Sequence, residues 1–475
     1  MIVLVNPNPM RPPVTPVSLE YLGSACNAAG INVKLVDYSV ESDFDRKLED
    51  VLSEKPILVG VTVRNIDDSY FASRDFSLKR IIPILEKIKN LTDAPICLGG
   101  VGFSIFPKEA MEFCDVSYGI YGDGEEAIVK LVRTLEGKFD IKDVPNLIWR
   151  ENGDFHKNDS KMIDIAKMDL SSRSLINNKY YYENGGQVGF ETRRGCFAKC
   201  TYCPEPYTKG KKARLRDPHN VVKELSNLYN QGVDVFHTCD CEFNIPHTHA
   251  ADVSRAIIDS GLGDKIRWYA YCSPEHFDDD LASLMKGAGC VGIDFGADHG
   301  DDEVLKNLGH DYTSEKLVRI KDLCSKCGFV FMYDLLLGAP GDTRKSIEKT
   351  IKLMKKIKPD RVGIGIGVRL YPQTEVGKMV LESGNLSENP NLFGELENNE
   401  SFLRPIYYCD AGLGEDFEDW LHEIIGNDPR FLVGRRSDAD TNYNYNDNPV
   451  LSRAIKEGYR GAYWDILRRV SEKHL

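Results

Sequence analysis

The chain has 475 residues, 42% of them hydrophobic and 28% charged, a composition ordinary for a globular protein and enough chain for about two to four domains. Its 60 Lys and Arg are outweighed by 73 Asp and Glu, and the net charge of -13 argues against a nucleic-acid partner, which needs a basic face. No apolar run approaches the roughly 18 residues a membrane span requires, and Met1–Val5 lacks the basic start and cleavage pattern of a signal peptide. A cytoplasmic protein with no membrane partner is therefore expected, and in that compartment its 13 cysteines stay reduced.

Residues 1–145 alternate short apolar runs with helical spacing. Strands are expected at Met1–Val5, Ile31–Tyr38, Ile57–Val63 and Pro95–Leu98, with helices at Val17–Ala29, Phe44–Ser53 and Leu78–Lys89. Ile57-Leu-Val-Gly-Val-Thr-Val63 is apolar on both faces, as suits a parallel strand covered by helices on each side. The segment reads as a doubly wound, Rossmann-like α/β domain whose ligand sits beyond the carboxyl ends of its strands. Residues 146–186 read as a polar linker that includes a hairpin-like turn at Glu151-Asn-Gly-Asp154.

A second array covers 187–384. Strands are expected at Gln187–Thr192, Val233–Thr238, Ile266–Tyr271, Val291–Phe295, Phe329–Leu337 and Arg361–Leu370. Helical patterns lie between them at Val221–Asn230, Thr248–Ser260, Asp279–Lys286, Glu315–Lys326 and Ile347–Ile357. This is the pattern of a partial (β/α)6 barrel. Residues 385–475 form a small mixed region, aromatic at Asn442-Tyr-Asn-Tyr-Asn446 and helical at Gly461–Arg469. The basic run Lys209-Gly-Lys-Lys-Ala-Arg-Leu-Arg216 reads as a solvated loop.

The strongest chemical signal is Arg193-Arg-Gly-Cys-Phe-Ala-Lys-Cys-Thr-Tyr-Cys-Pro204, in which Cys196, Cys200 and Cys203 have the spacing Cys-x3-Cys-x2-Cys. Soft thiolates select Fe–S clusters, zinc or copper(I). Structural zinc takes four closed ligands, and no paired Cys/His set follows at finger spacing. Three thiolates on a four-iron cluster leave one iron open, and the triple follows the first strand of the second array, at the barrel face that carries chemistry. Cys324 and Cys327 have CxxC spacing but fall in a predicted helix, where buried thiols are the simpler reading. Cys239 and Cys241 alternate at a strand end and are expected to point to opposite faces.

The triple, with Tyr202 before its last cysteine, resembles the radical S-adenosylmethionine (SAM) superfamily. Further segments match in order: Asp240-Cys-Glu-Phe-Asn244, Gly296-Ala-Asp-His-Gly300, Leu336-Leu-Gly-Ala-Pro-Gly-Asp-Thr343 and Arg369-Leu-Tyr-Pro-Gln-Thr374. The resemblance spans roughly 187–376. It implies a 4Fe–4S cluster on the three cysteines, SAM on its open iron, Tyr202 near the adenine, and Glu242, Asp298 and Arg369 as SAM contacts. It also implies an external electron donor.

Leu98-Gly-Gly-Val-Gly-Phe-Ser104 and Tyr118-Gly-Ile-Tyr-Gly-Asp-Gly-Glu-Glu126 resemble the cobalamin-binding domain often joined to radical SAM domains. Glycines at strand ends let backbone approach a large planar ligand. The resemblance places Gly99, Gly100, Ser104, Gly122, Gly124 and Glu125 at the cobalamin. No Asp-x-His-x-x-Gly occurs, so no histidine should ligate the cobalt.

Thr62-Val-Arg-Asn-Ile-Asp-Asp68 is similar to the tryptophan 2-C-methyltransferase branch of this family, in which an arginine lies under the cobalt. Arg64 and Asn65 are the residues concerned. An arginine buried at a strand end is costly unless something anionic or electron-rich faces it, and an interdomain ion pair is the other reading. The resemblance implies a methyl group passing from SAM to cobalamin and on to a small-molecule carbon, with tryptophan or another aromatic as substrate. A radical branch, in which SAM is cleaved to a deoxyadenosyl radical, stays open, with either methylation or rearrangement as its outcome. Tyr269, Tyr271 and Tyr312 are candidates for a substrate base, Tyr312 being the one carried forward as catalytic beside Arg64.

Overall fold

A computed structural model describes residues 1–168, 171–434 and 445–473. Most of the Asn442–Asn446 run lies outside the described residues; Tyr445 and Asn446 lie within them.

The N-terminal sheet has seven strands: β1 (Ile2–Asn6), β2 (Val33–Asp37), β3 (Leu58–Thr62), β4 (Ile96–Gly99), β5 (Tyr118–Ile120), β6 (Leu147–Glu151) and β7 (Asp154–Lys157). Their spatial order is β2-β1-β3-β4-β5-β6-β7, with β1 to β5 parallel. This is the doubly wound sheet the apolar runs predict, and its order reverses at β1/β3, where a ligand crevice forms. The linker reading fails for residues 147–157. The Asn152–Gly153 turn makes a β6–β7 hairpin that adds antiparallel to β5 and extends the first sheet. Further on, Asn178–Gly185 is a helix capped by the Asn177 side chain.

The second sheet also has seven strands: β8 (Val188–Phe190), β11 (Val235–Thr238), β12 (Arg267–Cys272), β13 (Cys290–Asp298), β14 (Val330–Leu337), β15 (Arg361–Ile366) and β19 (Phe431–Leu432). All are parallel, and β8 to β15 neighbour one another in chain order as an open, barrel-like array. The six expected strands are present, and the short β19 adds a seventh at the edge. The strand expected to run to Leu370 breaks at Gly367, whose φ is +68. Beyond the break, β16 (Val368–Arg369) joins β17 (Leu392–Gly394) and β18 (Ile406–Tyr408) in a separate three-stranded sheet. The remaining pair, β9 (Arg193–Arg194) and β10 (Arg214–Leu215), is antiparallel and frames the cysteine loop.

The two halves share a core. Val63, Leu98 and Phe103 of the first pack in one apolar cluster with Val304, Leu308, Val368 and Leu370 of the second. Buried ion pairs reinforce the junction. Arg194 binds Asp123 at 3.1 Å, Glu125 at 2.6 Å and Glu191 at 3.0 Å, all largely dehydrated. Glu224 holds both Arg173 (2.6 Å) and Arg216 and accepts a hydrogen bond from Tyr21 of the first half (3.1 Å). Arg214 pairs with Asp123 and Lys209 with Glu205. Lys209, Arg214 and Arg216 of the basic run are therefore committed to ion pairs rather than solvated, Arg214 with the first half and the other two within the second, while Lys211 and Lys212 are exposed as expected. Among the described residues no helix is long and apolar enough to cross a membrane.

Candidate functional site

A cavity of about 660 Å³ lies between the carboxyl ends of the two sheets. The first half supplies Thr62, Arg64, Asn65, Gly99, Gly100, Ser104, Gly122, Gly124 and Glu125 to its wall. The second supplies His237, Cys239, Asp240, Cys241, Tyr271, Asp294 and Asp334, and the C-terminal segment closes it with Tyr445, Ala462, Tyr463 and Trp464.

On the first wall the glycines divide into two kinds. A Cβ on Gly100 (φ +105) would stand 2.6 Å from the Val63 carbonyl, and one on Gly102 would stand 2.9 Å from the Asn65 carbonyl carbon. These two are required because the Val63–Asn65 backbone lies directly against them: Gly102 N–H donates to Arg64 O at 3.0 Å and Val63 N–H to Gly99 O at 2.7 Å. At Gly99 and Gly122 a Cβ would meet nothing closer than 3.5 and 3.6 Å, so these leave free space along the wall. Gly124 makes room for Leu22. Ser104 ties the wall together: its hydroxyl donates to Gly100 O (2.8 Å) and accepts from Gly122 N–H (2.9 Å). A smooth backbone face at a switch point, open to a large cavity, fits a flat macrocycle.

Arg64 is exposed rather than buried, and among the described residues it forms no ion pair. Its guanidinium meets the Met10 thioether at 3.8 Å. The high cost assigned to a buried strand-end arginine therefore does not arise, and neither does the interdomain ion pair. Glu125, by contrast, is engaged by Arg194, and its buried Oε2 has no hydrogen-bond partner among the described residues.

The cysteine loop is fixed by its backbone. Cys196 N–H donates to Gly210 O (3.0 Å), Thr201 N–H to Leu308 O (3.0 Å) and Val376 N–H to Thr201 O (3.1 Å). Gly195 (φ +86) passes so close to Lys212 O that a Cβ would lie 2.2 Å from it. All three cysteines are free thiols. A hydrogen bond from Cys241 pulls the Cys196 pKa down, while burial pushes Cys203 up to about 12 and Cys200 up as well. Among the described residues no three His, Cys, Asp or Glu side chains form a group that could hold a single metal ion. Three soft thiols on one loop, with no fourth ligand built in, are the donor set of a cluster with one open iron.

Around this loop, Asp298 (φ +53, at a bulge in β13) accepts from the Tyr202 hydroxyl and pairs with His310 Nε2, each at 2.5 Å. Glu242 lies over Gly296, its Oε1 3.4 Å from where a Cβ would stand. Its pKa is raised well above normal by burial and by Cys241, and its Oε2 has no hydrogen-bond partner among the described residues.

Two residues singled out in the sequence stand elsewhere. Arg369 is buried in an ion pair with Asp67 (2.8 Å), and its remaining donors go to Leu370, Phe402 and Leu403 carbonyls. It joins the halves rather than facing the cavity, because its strand is diverted at Gly367. Tyr312 donates its hydroxyl to Gly296 O (2.9 Å) and Ala297 O (3.1 Å) and is not among the residues that line the cavity. Tyr269 donates to Asp465 at 2.8 Å and anchors the C-terminal helix Tyr463–Lys473. Of the three tyrosines Tyr271 alone lines the cavity, with 43% of its surface exposed there.

Cys239 and Cys241 both line the cavity. They lie beyond Thr238, the end of β11, where strand alternation no longer applies. Cys324 is packed in the core of the second half, with Cys327 against it. Sequence reasoning missed His237, Asp294, Asp334, Tyr463 and Trp464 as cavity residues. The carboxylates carried a signal: each is one acidic residue inside an otherwise apolar strand, Gly292-Ile-Asp-Phe-Gly296 and Met332-Tyr-Asp-Leu-Leu336.

The fold and site define a two-domain, cofactor-dependent enzyme. Residues 10–132 match the B12 binding domain and residues 190–354 the Radical SAM superfamily. The chain thus carries a B12 binding domain and a Radical SAM domain, whose cofactors are a 4Fe–4S cluster, SAM and cobalamin. Along 98% of its length it is 26% identical to the tryptophan 2-C-methyltransferase of Streptomyces laurentii, 95% of which is covered. It superposes over its whole length on 98% of the radical SAM methyltransferase TsrM from Kitasatospora setae, solved with tryptophan and a SAM analog, with TM-score 0.93 and 28% identity. The same protein with cobalamin and a [4Fe-4S] cluster gives TM-score 0.90 at 27% identity, covering 99% and 97% of the two chains.

Proposed function

We propose that this chain is a SAM- and cobalamin-dependent C-methyltransferase acting on a small aromatic substrate, with tryptophan C2 as the acceptor carbon. One observation carries the reading. A single cavity is walled by the glycine-rich face of the B12 domain on one side and by an aromatic bowl, Tyr271, Tyr445, Tyr463 and Trp464, on the other. An indole fills such a bowl by burial and edge-to-face packing.

Cys196, Cys200 and Cys203 hold the cluster, and Gly99, Gly122 and Ser104 lie along the cobalamin, with Arg64 and Asn65 at its edge. Glu242 and the Tyr202–Asp298 pair border the SAM site. When bound, the cobalamin carries the methyl group between SAM and the acceptor carbon. An arginine has no lone pair to offer a metal, so Arg64 would supply no ligand to the cobalt. Burial, with Asp294 and Asp334 nearby, raises the Tyr271 pKa, so its hydroxyl stays protonated at neutral pH. Tyr271 therefore orients the substrate ring through a hydrogen bond rather than standing as a free phenolate. The walls exclude water from the reacting carbon. Reduction of the cofactors falls to an external donor.

The test is anaerobic reconstitution with iron, sulfide and cobalamin, followed by incubation with methyl-labelled SAM, a reductant and L-tryptophan. Label in 2-methyltryptophan, with S-adenosylhomocysteine and without 5′-deoxyadenosine, is expected. Deoxyadenosine in proportion to product would overturn the non-radical route, and absence of labelled product from any indole would overturn the function.

A further inference from the structure

The strands that form the bowl carry two carboxyls where apolar side chains would ordinarily face inward. Asp294 on β13 stands in register with Tyr271 on β12, and Asp334 on β14 is in register with Gly296, two residues further along and on the same face. Both line the cavity. Asp294 is only 3% exposed, its side chain hydrogen-bonds that of Asp334, and its Oδ1 has no hydrogen-bond partner among the described residues. The charges that act on Asp294 are carboxylates, Asp334 and Glu242, and burial together with Asp334 raises its pKa well above the usual range. A dehydrated carboxyl with a spare acceptor and no cation beside it among the described residues is costly unless a ligand brings positive charge.

We propose that Asp294, braced by Asp334, takes the ammonium group of the substrate, so that the acceptor is an aromatic amine or amino acid rather than a neutral or purely anionic aromatic. This rests on the reading of the bowl as a substrate site and names the second functional group the substrate must carry. The ring lies against Tyr271 and Trp464 while the ammonium donates to Asp294 Oδ1. A charge-assisted hydrogen bond in a dry site is among the stronger polar contacts available.

The experiment is equilibrium dialysis of three ligands against the full chain, anaerobically reconstituted with cluster and cobalamin. The ligands are L-tryptophan, tryptamine (which has no carboxylate) and indole-3-propionate (which has no amine). Both amines are expected to bind at least tenfold more tightly than indole-3-propionate. In Asp294→Asn that preference should shrink to threefold or less, through weaker amine binding, with iron and corrinoid content unchanged. Asp294→Glu should retain part of it. Equal binding of all three ligands by the natural chain, tighter binding of the propionate, no binding of either amine, or a preference that persists in Asp294→Asn would each overturn the proposal. Should Asp294→Asn not load its cofactors, the natural chain's discrimination and Asp294→Glu decide. The methylation assay separates the two readings: tryptophan methylated without amine preference sinks only the role of Asp294. Amine preference without methylation of any indole sinks only the reaction.

Discussion

Replacing Glu224 by Gln would leave two guanidinium groups, Arg173 and Arg216, in the interior with their shared carboxylate gone. Arg173 and Glu224 are 0% and Arg216 is 1% exposed, and among the described residues Arg216 Nε and Nη2 already lack partners. Removing one member of a buried pair costs about 3–5 kcal/mol, since the remaining charge keeps its desolvation penalty. A stranded carboxylate escapes by taking a proton, at about 1.4 kcal/mol per pH unit, but arginine cannot shed its proton at any accessible pH. The loss should therefore sit at the upper end of that range and stay flat between pH 6 and 8. At about 2–4 °C per kcal/mol, a loss of about 4–5 kcal/mol lowers the midpoint of thermal unfolding by about 8–20 °C. Scanning fluorimetry of the natural chain and Glu224→Gln at three pH values reads this out. Adding Arg173→Met to Glu224→Gln should return part of the loss. A shift under 2 °C, or one that disappears on changing pH, would show that water reaches the cluster and that the junction is not dry.

Four further outcomes follow from the same geometry. Cys196→Ala, Cys200→Ala or Cys203→Ala should each abolish the iron-linked absorbance after reconstitution, whereas Cys324→Ala should keep it, as iron and sulfide analysis would show. Gly100→Ala places a Cβ 2.6 Å from Val63 O at φ +105, so corrinoid retained after gel filtration should fall severalfold while the cluster is kept. Tyr271→Phe should lower the rate of methyl transfer by at least tenfold, with cobalamin and iron content unchanged. Burial depresses the His237 pKa to about 4, so between pH 6.5 and 4 the unfolded chain binds a proton that the folded chain refuses. Stability is lost as pH falls through that window, by about 3 kcal/mol, and His237→Gln should flatten denaturation midpoints across it.

The regular elements were legible because their patterns are strong. Ile57–Val63 is apolar on both faces, and the helix Arg344–Ile357 keeps one buried stripe through Ile347, Ile351 and Met354. The hairpin turn at Asn152–Gly153 was legible too, but its attachment to the first sheet was not, because the β5 edge it adds to is three residues long. The strand break at Gly367 was hidden in a continuous apolar run, and with it went the placement of Arg369: a motif records residue types, while the ion pair with Asp67 depends on a partner about three hundred positions away. Tyr312 and Tyr271 differ only in which way the strand and loop present them, which periodicity alone does not give. The cysteine triple, in contrast, is local, and its loop is held by neighbouring backbone.

The apolar cluster that unites Val63, Leu98 and Phe103 with Val304, Val368 and Leu370 has a consequence for turnover. Prising the halves apart would wet all of these side chains together, so a hinge is a poor route for traffic. The chamber has fixed walls: on every turnover SAM and the acceptor would have to enter, and S-adenosylhomocysteine and the product leave, without the two sheets parting.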